Sequence, residues 1–371
     1  MGLHRWDFVS AYLQGELEPG EVVYCSAPPG FERNDADGQP MCCRIVKPVY
    51  GMAQAGRRWQ RSLFPWLEEF GLAPSAHDSC LFHMERDYVD PATGHTVRDR
   101  LLVGVYVDDL ACGYKYSGAG SLYADFVTAL QARWKVEDEG ELSDLLGVDF
   151  SFDNGTVTLA QTKYIRKLVS TYLNDSPSKK RGTLPHVKEL PDHVAAGLSQ
   201  LDSAVHPDLR RKYQSLVGAL LYCATNTRPD IAYAVGMLCR AMSKPTDELY
   251  ADAELVLRYL SRTEYIGLRF AASPAPLHGF SDSDWAVKHS TSGWVFMLNH
   301  AAISWGSKKQ KSVALSSCEA EIVAASEAAK EAVHLNALCS ELGLGLPDGT
   351  PLDLHVDNKS AIDTCIAYNV P

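Results

Sequence analysis

Residues 101–114, LLVGVYVDDLACGY, set two adjacent aspartates between two short apolar arms rich in β-branched residues. Short apolar arms bounded by turn-prone residues predict a β-hairpin. On the first arm Leu101, Val103, Val105 and Val107 share one face, and Leu102, Gly104, Tyr106 and Asp108 share the other. Carboxylates crowded at a stiff hairpin tip repel each other unless divalent cations sit between them, because such ions invert the local charge balance. The alternative is a solvated acidic turn, since Asp is a common turn residue. The flanking run is more apolar than an ordinary surface turn, but spacing alone leaves both readings open.

Tyr106-Val107-Asp108-Asp109 resembles the polymerase box of reverse transcriptases, and the rest of the chain resembles one branch of that family, the copia-type LTR retrotransposon polyprotein. Trp6-Asp7-Phe8-Val9-Ser10-Ala11-Tyr12-Leu13-Gln14-Gly15 is similar to the family's strand bearing its first catalytic Asp. Pro28-Pro29-Gly30-Phe31 and Val49-Tyr50-Gly51-Met52-Ala53-Gln54-Ala55 follow in the family's order. Residues 213–235, with Thr227-Arg228-Pro229-Asp230-Ile231, resemble its connecting region. Ser281-Asp282-Ser283-Asp284-Trp285, Ser304 to Lys311, Ser316 to Glu321 and Val356-Asp357-Asn358-Lys359-Ser360 resemble its ribonuclease H domain. The resemblance runs in order over nearly the whole chain.

It implies an α+β chain: a palm-type reverse transcriptase domain with helical thumb and connection, then a ribonuclease H-like mixed α/β domain. The expected divisions are 1–175 for palm with partial fingers and thumb, 176–270 for linker and helical connection, and 277–371 for a ribonuclease H-like domain incomplete at its C-terminus. The implied activity is RNA-directed DNA polymerisation with ribonuclease H cleavage. Implied partners are an RNA template, a DNA primer, the RNA–DNA hybrid, deoxynucleoside triphosphates and the other domains of a polyprotein. Implied cofactors are two Mg2+ (or Mn2+) ions per site.

Bulk properties are compatible. The 371 residues suffice for two or three domains with cores of their own. A hydrophobic share of 46% with 22% charged residues is ordinary for a globular protein. Ten cysteines without a CxxC pair suggest neither a zinc knuckle nor a disulfide frame, and fit a reducing compartment. No apolar run approaches a membrane span and no signal-peptide pattern follows Met1. An intracellular place, in a cytoplasmic particle or the nucleus, is therefore expected. The net charge of −11 argues against a simple nucleic-acid coat, which would be basic. It permits local basic patches, and Lys163, Arg166, Lys167, Lys179, Lys180 and Arg181 form one, Lys308, Lys309 and Lys311 another. A solvated face is the plainer reading of each, and for the first stretch taken alone it is preferred.

Along the chain, residues 3–9 predict a strand carrying Asp7, an unusual residue in an apolar-aromatic strand unless it is an edge residue or a ligand. Short strands are expected at 21–24 and 41–46. An amphipathic helix is expected at 56–70 with Trp59, Leu63, Trp66 and Leu67 on one stripe, and another at 121–136. A hairpin turns at Asn154-Gly155 between 148–152 and 156–160. A basic helix at 162–173 precedes a polar, proline-punctuated linker at 174–211. Helices follow at 213–225, 230–242 and 247–262, then a second linker at 271–277. Strands at 278–281, 293–298 and 301–304, a helix at 318–342, a strand at 352–356 and a helix at 358–366 give the βββαβα order that opens a ribonuclease H fold.

Phosphoryl transfer on two metal ions needs hard oxygen ligands on rigid strands. The resemblance places Asp7, Asp108 and Asp109 in the polymerase site, and Asp282, Glu321 and Asp357 in the ribonuclease H site, as catalytic and metal-binding residues. It places Tyr12 under the incoming sugar, where a ring would reject a 2′-hydroxyl, and Gln54 near nucleotide and template. Glu319 and Glu321 stand about 200° apart on a helix, so both cannot face one metal pair. The family's Ala-Glu-apolar pattern matches Ala320-Glu321-Ile322. Asp282 is preferred to Asp284 because the family's first acid follows a Ser or Thr, and His355 reads as a cross-strand or core residue. Family polymerases begin well before the Asp7 strand, and their ribonuclease H domains continue past Pro371 to a last metal-binding acid. The implied alternatives are a working polymerase within a longer protein and a catalytically inactive remnant that at most binds nucleic acid or a protein.

Overall fold

The computed structural model describes residues 2–173, 183–201, 205–271, 273–286, 289–347 and 350–367. The chain forms two compact units, Met1–Leu142 and Ser143–Pro371. The break falls ahead of the basic helix at 162–172 instead of after it, and Lys179, Lys180 and Arg181 lie outside the described residues.

The first unit runs β1 (Gly2–Phe8), α1 (Ala11–Gln14), β2 (Val23–Ser26), β3 (Cys42–Ile45), α2 (Ala55–Phe70), β4 (Ala73–Pro74), β5 (Leu81–Val89), β6 (Thr96–Tyr106), β7 (Asp109–Tyr114), α3 (Leu122–Arg133) and β8 (Val136–Glu141). Six strands form one sheet in the order β4-β5-β6-β7-β1-β8, with all ladders antiparallel. Alternation puts Trp6 and Phe8 of β1, Leu101 and Val103 of β6, and Leu110 and Cys112 of β7 into the core. Trp59, Leu63 and Leu67, spaced by four residues on α2, and Phe126 and Leu130 on α3 cover that face. Trp66 is partly buried against the same core. The hairpin β2–β3 stands apart as a two-stranded ribbon. The sequence VEDEGE of β8 shows no apolar alternation, and it enters the sheet through its backbone beside β1.

The second unit begins with β9 (Asp144–Leu145), β10 (Val148–Asp153), β11 (Thr156–Ala160) and α4 (Thr162–Tyr172), then α5 (Leu190–Ser199) and α6 (Pro207–Asn226). A 3-10 turn, Pro229–Ile231, leads to α7 (Ala232–Cys239) and α8 (Asp247–Arg262). β12 (Leu268–Phe270) pairs with β11, completing a sheet in the order β12-β11-β10-β9. The helices bury Ile165, Tyr213, Leu216, Leu220, Val235 and Leu257 together. The stretch expected as a linker thus contains α5 and the first turn of α6. Pro191 and Pro207 sit at helix starts, where a missing N–H costs nothing, so they open helices instead of breaking them. Arg228 is fully buried; its guanidinium donates to Asp230 and to the Thr263 carbonyl and hydroxyl.

The remainder is β13 (His278–Asp284), β14 (Thr291–Leu298), β15 (Ala301–Lys309), α9 (Ser317–Glu341), β16 (Asp353–His355) and α10 (Lys359–Ala367). Their sheet has the order β15-β14-β13-β16, with β16 parallel to β13 and the other ladders antiparallel. Phe296 packs directly over Gly279, where any added Cβ would collide with its ring. Among the described residues no helix is long and apolar enough to cross a membrane. The architecture is α+β, a palm-type sheet unit followed by a helical layer and a ribonuclease H-like sheet.

Candidate active sites

Asp7 faces Asp109 across the β1–β7 ladder. Tyr106 pairs with Asp109, leaving Val107 and Asp108 as a two-residue turn. Val107 has φ 55°, a left-handed conformation that a β-branched residue enters only under constraint. Both turn carbonyls are held: the Trp59 indole donates to the Val107 carbonyl at 2.5 Å, and the Phe8 amide donates to the Asp108 carbonyl at 2.8 Å. The indole of buried Trp59 and the backbone amide of Phe8 thus fix the acidic tip. Burial, reinforced by the charges of Asp108 and Asp109, pushes the Asp7 carboxyl above its usual range. Arg5, two residues before Asp7, donates from Nε to Asp109 Oδ1 at 2.9 Å. Asp109 thereby has a counter-charge within the unit.

Tyr12 lies 4.6 Å, centroid to centroid, from Tyr50. Burial pushes the Tyr50 hydroxyl up, with the charges of Asp108 and Asp7 adding to the effect, so Tyr50 lies near the acidic tip and Tyr12 packs against it. Tyr50 was not singled out from the sequence, although its Val-Tyr-Gly motif was the available signal. Gln54 instead donates to Glu21 Oε1 at 3.1 Å, beside the Arg58–Glu21 ion pair. In this arrangement it ties the start of α2 to the segment before β2.

In the second unit Asp282 sits on β13, Glu321 in the first turns of α9, and Asp357 just after β16. One ligand oxygen from each lies within 4.8 Å of the others, the one such acidic group among the described residues. The Ser283 amide and hydroxyl donate to Glu321 Oε1 at 3.2 and 2.9 Å. Glu321 Oε2 is buried without a hydrogen-bond partner. Burial, then the charges of Asp282 and Asp357, push its carboxyl up, against the Ser283 hydrogen bonds. A buried carboxylate oxygen lacking a donor, beside two further carboxylates, fits a hard divalent cation. Asp7, Asp108 and Asp109 offer the same oxygen donors to such an ion.

Glu319 is exposed and turns away: its Oε2 accepts from the Leu315 amide at 2.7 Å, while its own amide donates to Ser316 Oγ. It belongs to the N-terminal cap of α9. Asp284 is exposed, with the Tyr233 hydroxyl 3.5 Å from Oδ2. His355 stacks on its cross-strand neighbour Phe280 at 4.9 Å.

Residues 1–180 match a family described as reverse transcriptase (RNA-dependent DNA polymerase). The Pol polyprotein from transposon TNT 1-94 of Nicotiana tabacum is 30% identical over 97% of this chain and 26% of its own length. That from transposon RE1 of Arabidopsis thaliana is 32% identical over 98% of this chain and 23% of its own. The chain thus spans about a quarter of the length of each of these two relatives. A foamy viral protease-reverse transcriptase solved with double-stranded DNA is 11% identical, with a TM-score of 0.48 over 98% of this chain and 51% of that one. Residues 1–180 thus belong to the reverse transcriptase family, and the chain over nearly its whole length is similar to copia-type retrotransposon Pol polyproteins.

Proposed function

We propose that the chain carries two metal-dependent phosphoryl-transfer sites, an RNA-directed DNA polymerase site at Asp7, Asp108 and Asp109 and a ribonuclease H site at Asp282, Glu321 and Asp357. The observation that carries the polymerase reading is the register of Asp7 opposite Asp109 on central strands, with Asp108 in the turn between β6 and β7. The hydrolytic reading is supported by the close carboxylate trio with its donorless Glu321 oxygen. Two Mg2+ or Mn2+ ions, when bound, would polarise the phosphoryl oxygens and lower the barrier to displacement.

In the first site Asp7, Asp108 and Asp109 would hold the metal ions, and Trp59 and Phe8 keep the turn carbonyls fixed so that the acids do not reorient. Arg5 neutralises Asp109 until a cation competes for it. Tyr12, braced by Tyr50, walls the space beside the acids where the sugar of a deoxynucleoside triphosphate would lie. In the second site Ser283 orients Glu321, and Asp282 and Asp357 flank the same space. An RNA–DNA hybrid is the proposed substrate there, its 2′-hydroxyls marking the RNA strand. Lys163 and Lys167, exposed on α4, suit phosphate contacts with a primer–template duplex. Gln54 keeps a proposed place near the nucleotide, reached through its link to Glu21.

Primer extension on an RNA template and cleavage of an RNA–DNA hybrid are measured with Mg2+ on the unsubstituted chain, Asp7→Asn and Asp282→Asn. Asp7→Asn is expected to remove extension and leave cleavage within a few-fold, and Asp282→Asn to do the reverse, since each acid set belongs to its own compact unit and the two share no partner among the described residues. Loss of both activities in either variant, or of neither in both, overturns the assignment.

A further inference from the structure

The hairpin β2–β3 is an unpacked ribbon. Tyr24, Cys25, Ser26, Cys42, Cys43 and Arg44 are all exposed, and none of its residues belongs to the buried core of the first unit. A lone two-stranded hairpin is marginal in water, because it lacks a buried face to offset its ordering entropy. Its register nevertheless sets Cys25 directly opposite Cys43. No other ladder among the described residues pairs two cysteines. Directly opposed residues project to one face, with Cα atoms about 4.5 or 5.5 Å apart depending on the ladder position. Both spacings fall inside the range of roughly 4.4–6.8 Å that disulfides span. Cys42 pairs with Ser26 and projects to the opposite face.

We infer that Cys25 and Cys43 are a thiol pair poised to form a cross-strand disulfide with a low-molecular-weight disulfide such as oxidised glutathione, stapling the hairpin. One cysteine thiolate attacks a glutathione sulfur, forming a mixed disulfide and expelling one glutathione thiolate. The second cysteine thiolate then attacks the protein-bound sulfur and expels the other glutathione. Two electrons pass from the cysteine pair to glutathione disulfide, and the two thiol protons end on the two released glutathione molecules. The bond closes the 27–41 loop region into a covalent ring. Both sulfurs are exposed, so reduced glutathione reverses it.

The test incubates the whole chain with oxidised glutathione, alkylates the remaining thiols, and identifies linked peptides by mass spectrometry. A Cys25–Cys43 link, with Cys42 alkylated, is the expected product. It should be lost in Cys43→Ser and retained in Cys42→Ser. Protease cleavage within 27–41 should slow by roughly tenfold on oxidation of the unsubstituted chain, and remain unchanged in Cys43→Ser, because cleavage tracks the opened population. A Cys25–Cys42 link, persistent glutathione adducts on both cysteines, or full alkylation of both after oxidation would each overturn the inference.

Discussion

Replacing Glu321 with Gln should make the metal-free protein more stable while removing its response to divalent cations. Oxygens of Glu321, Asp282 and Asp357 lie within 4.8 Å of one another. Unit charges at that spacing repel by about 0.9 kcal/mol in bulk water, and by about 3.5 kcal/mol at an effective dielectric constant near 20. Asp282 and Asp357 are exposed, so the lower figure governs each pair, and two pairs give about 2 kcal/mol. Glutamine keeps the acceptor that Ser283 engages and sets an amide N–H2 where Oε2 now lacks a donor. The expected gain is about 1–3 kcal/mol, or roughly 3–8 °C in Tm for a unit of this size. The pH dependence has a defined sign. The folded-state carboxyl is raised, so the folded protein holds this proton to higher pH than the unfolded chain does. Stability relative to the Gln variant should be level below the ordinary value of 4.5 and should fall as pH rises through the elevated folded-state pKa. Calorimetry at pH 5 and pH 7, in chelator and then in Mg2+ or Mn2+, measures both effects. A Gln variant no more stable than the parent at pH 7 in chelator, or one that gains as much from the cation, would refute the reasoning.

Glu319→Gln, by contrast, weakens only the cap of α9; hybrid cleavage should stay within a few-fold and stability fall by about 0.5–1.5 kcal/mol, as read by kinetics and urea unfolding. Arg228→Met should cost the second unit about 3–5 kcal/mol, because Asp230 and the Thr263 carbonyl lose a buried partner. Burial opposes ionisation of Asp230, but the hydrogen bonds and charge of Arg228 outweigh it and hold the carboxyl below its usual range. Its contribution is therefore present above about pH 3.8, the ordinary value, and lost on acidification, and Arg228→Met should flatten that acid limb in a pH series of unfolding curves. Val107→Gly should relieve the left-handed strain and stabilise the first unit by about 1 kcal/mol in urea unfolding; a loss of stability would mean that the side chain outweighs the strain.

The hairpin at 101–114 was legible because two short apolar, β-branched-rich arms flank a turn-prone pair, and the helix of Trp59, Leu63 and Leu67 because apolar residues recur at helical spacing. Helix phase separated Glu319 from Glu321 and the Ala-Glu-apolar pattern chose between them; the two side chains lie in different surroundings. β8 escaped because VEDEGE is held by backbone pairing to β1 and buries little of itself. α5 escaped because prolines were counted as breakers when one of them stands at a helix start. The Arg5–Asp109 pair was invisible because it joins residues brought together only by the β1–β7 register.

The short strand β12 has a consequence for how the second unit can be cut and how it assembles. Val157, Thr158 and Leu159 find their ladder partners in Phe270, Arg269 and Leu268, beyond the entire helical layer. An expression boundary placed anywhere between β11 and β12 leaves an unpaired strand edge, which invites association with other chains. A boundary at 271–277 leaves that sheet whole. During synthesis the β10–β11 hairpin emerges first but waits for α4 to α8 before its outer edge is closed. This long-range closure should make the docking of β12 a late event in folding.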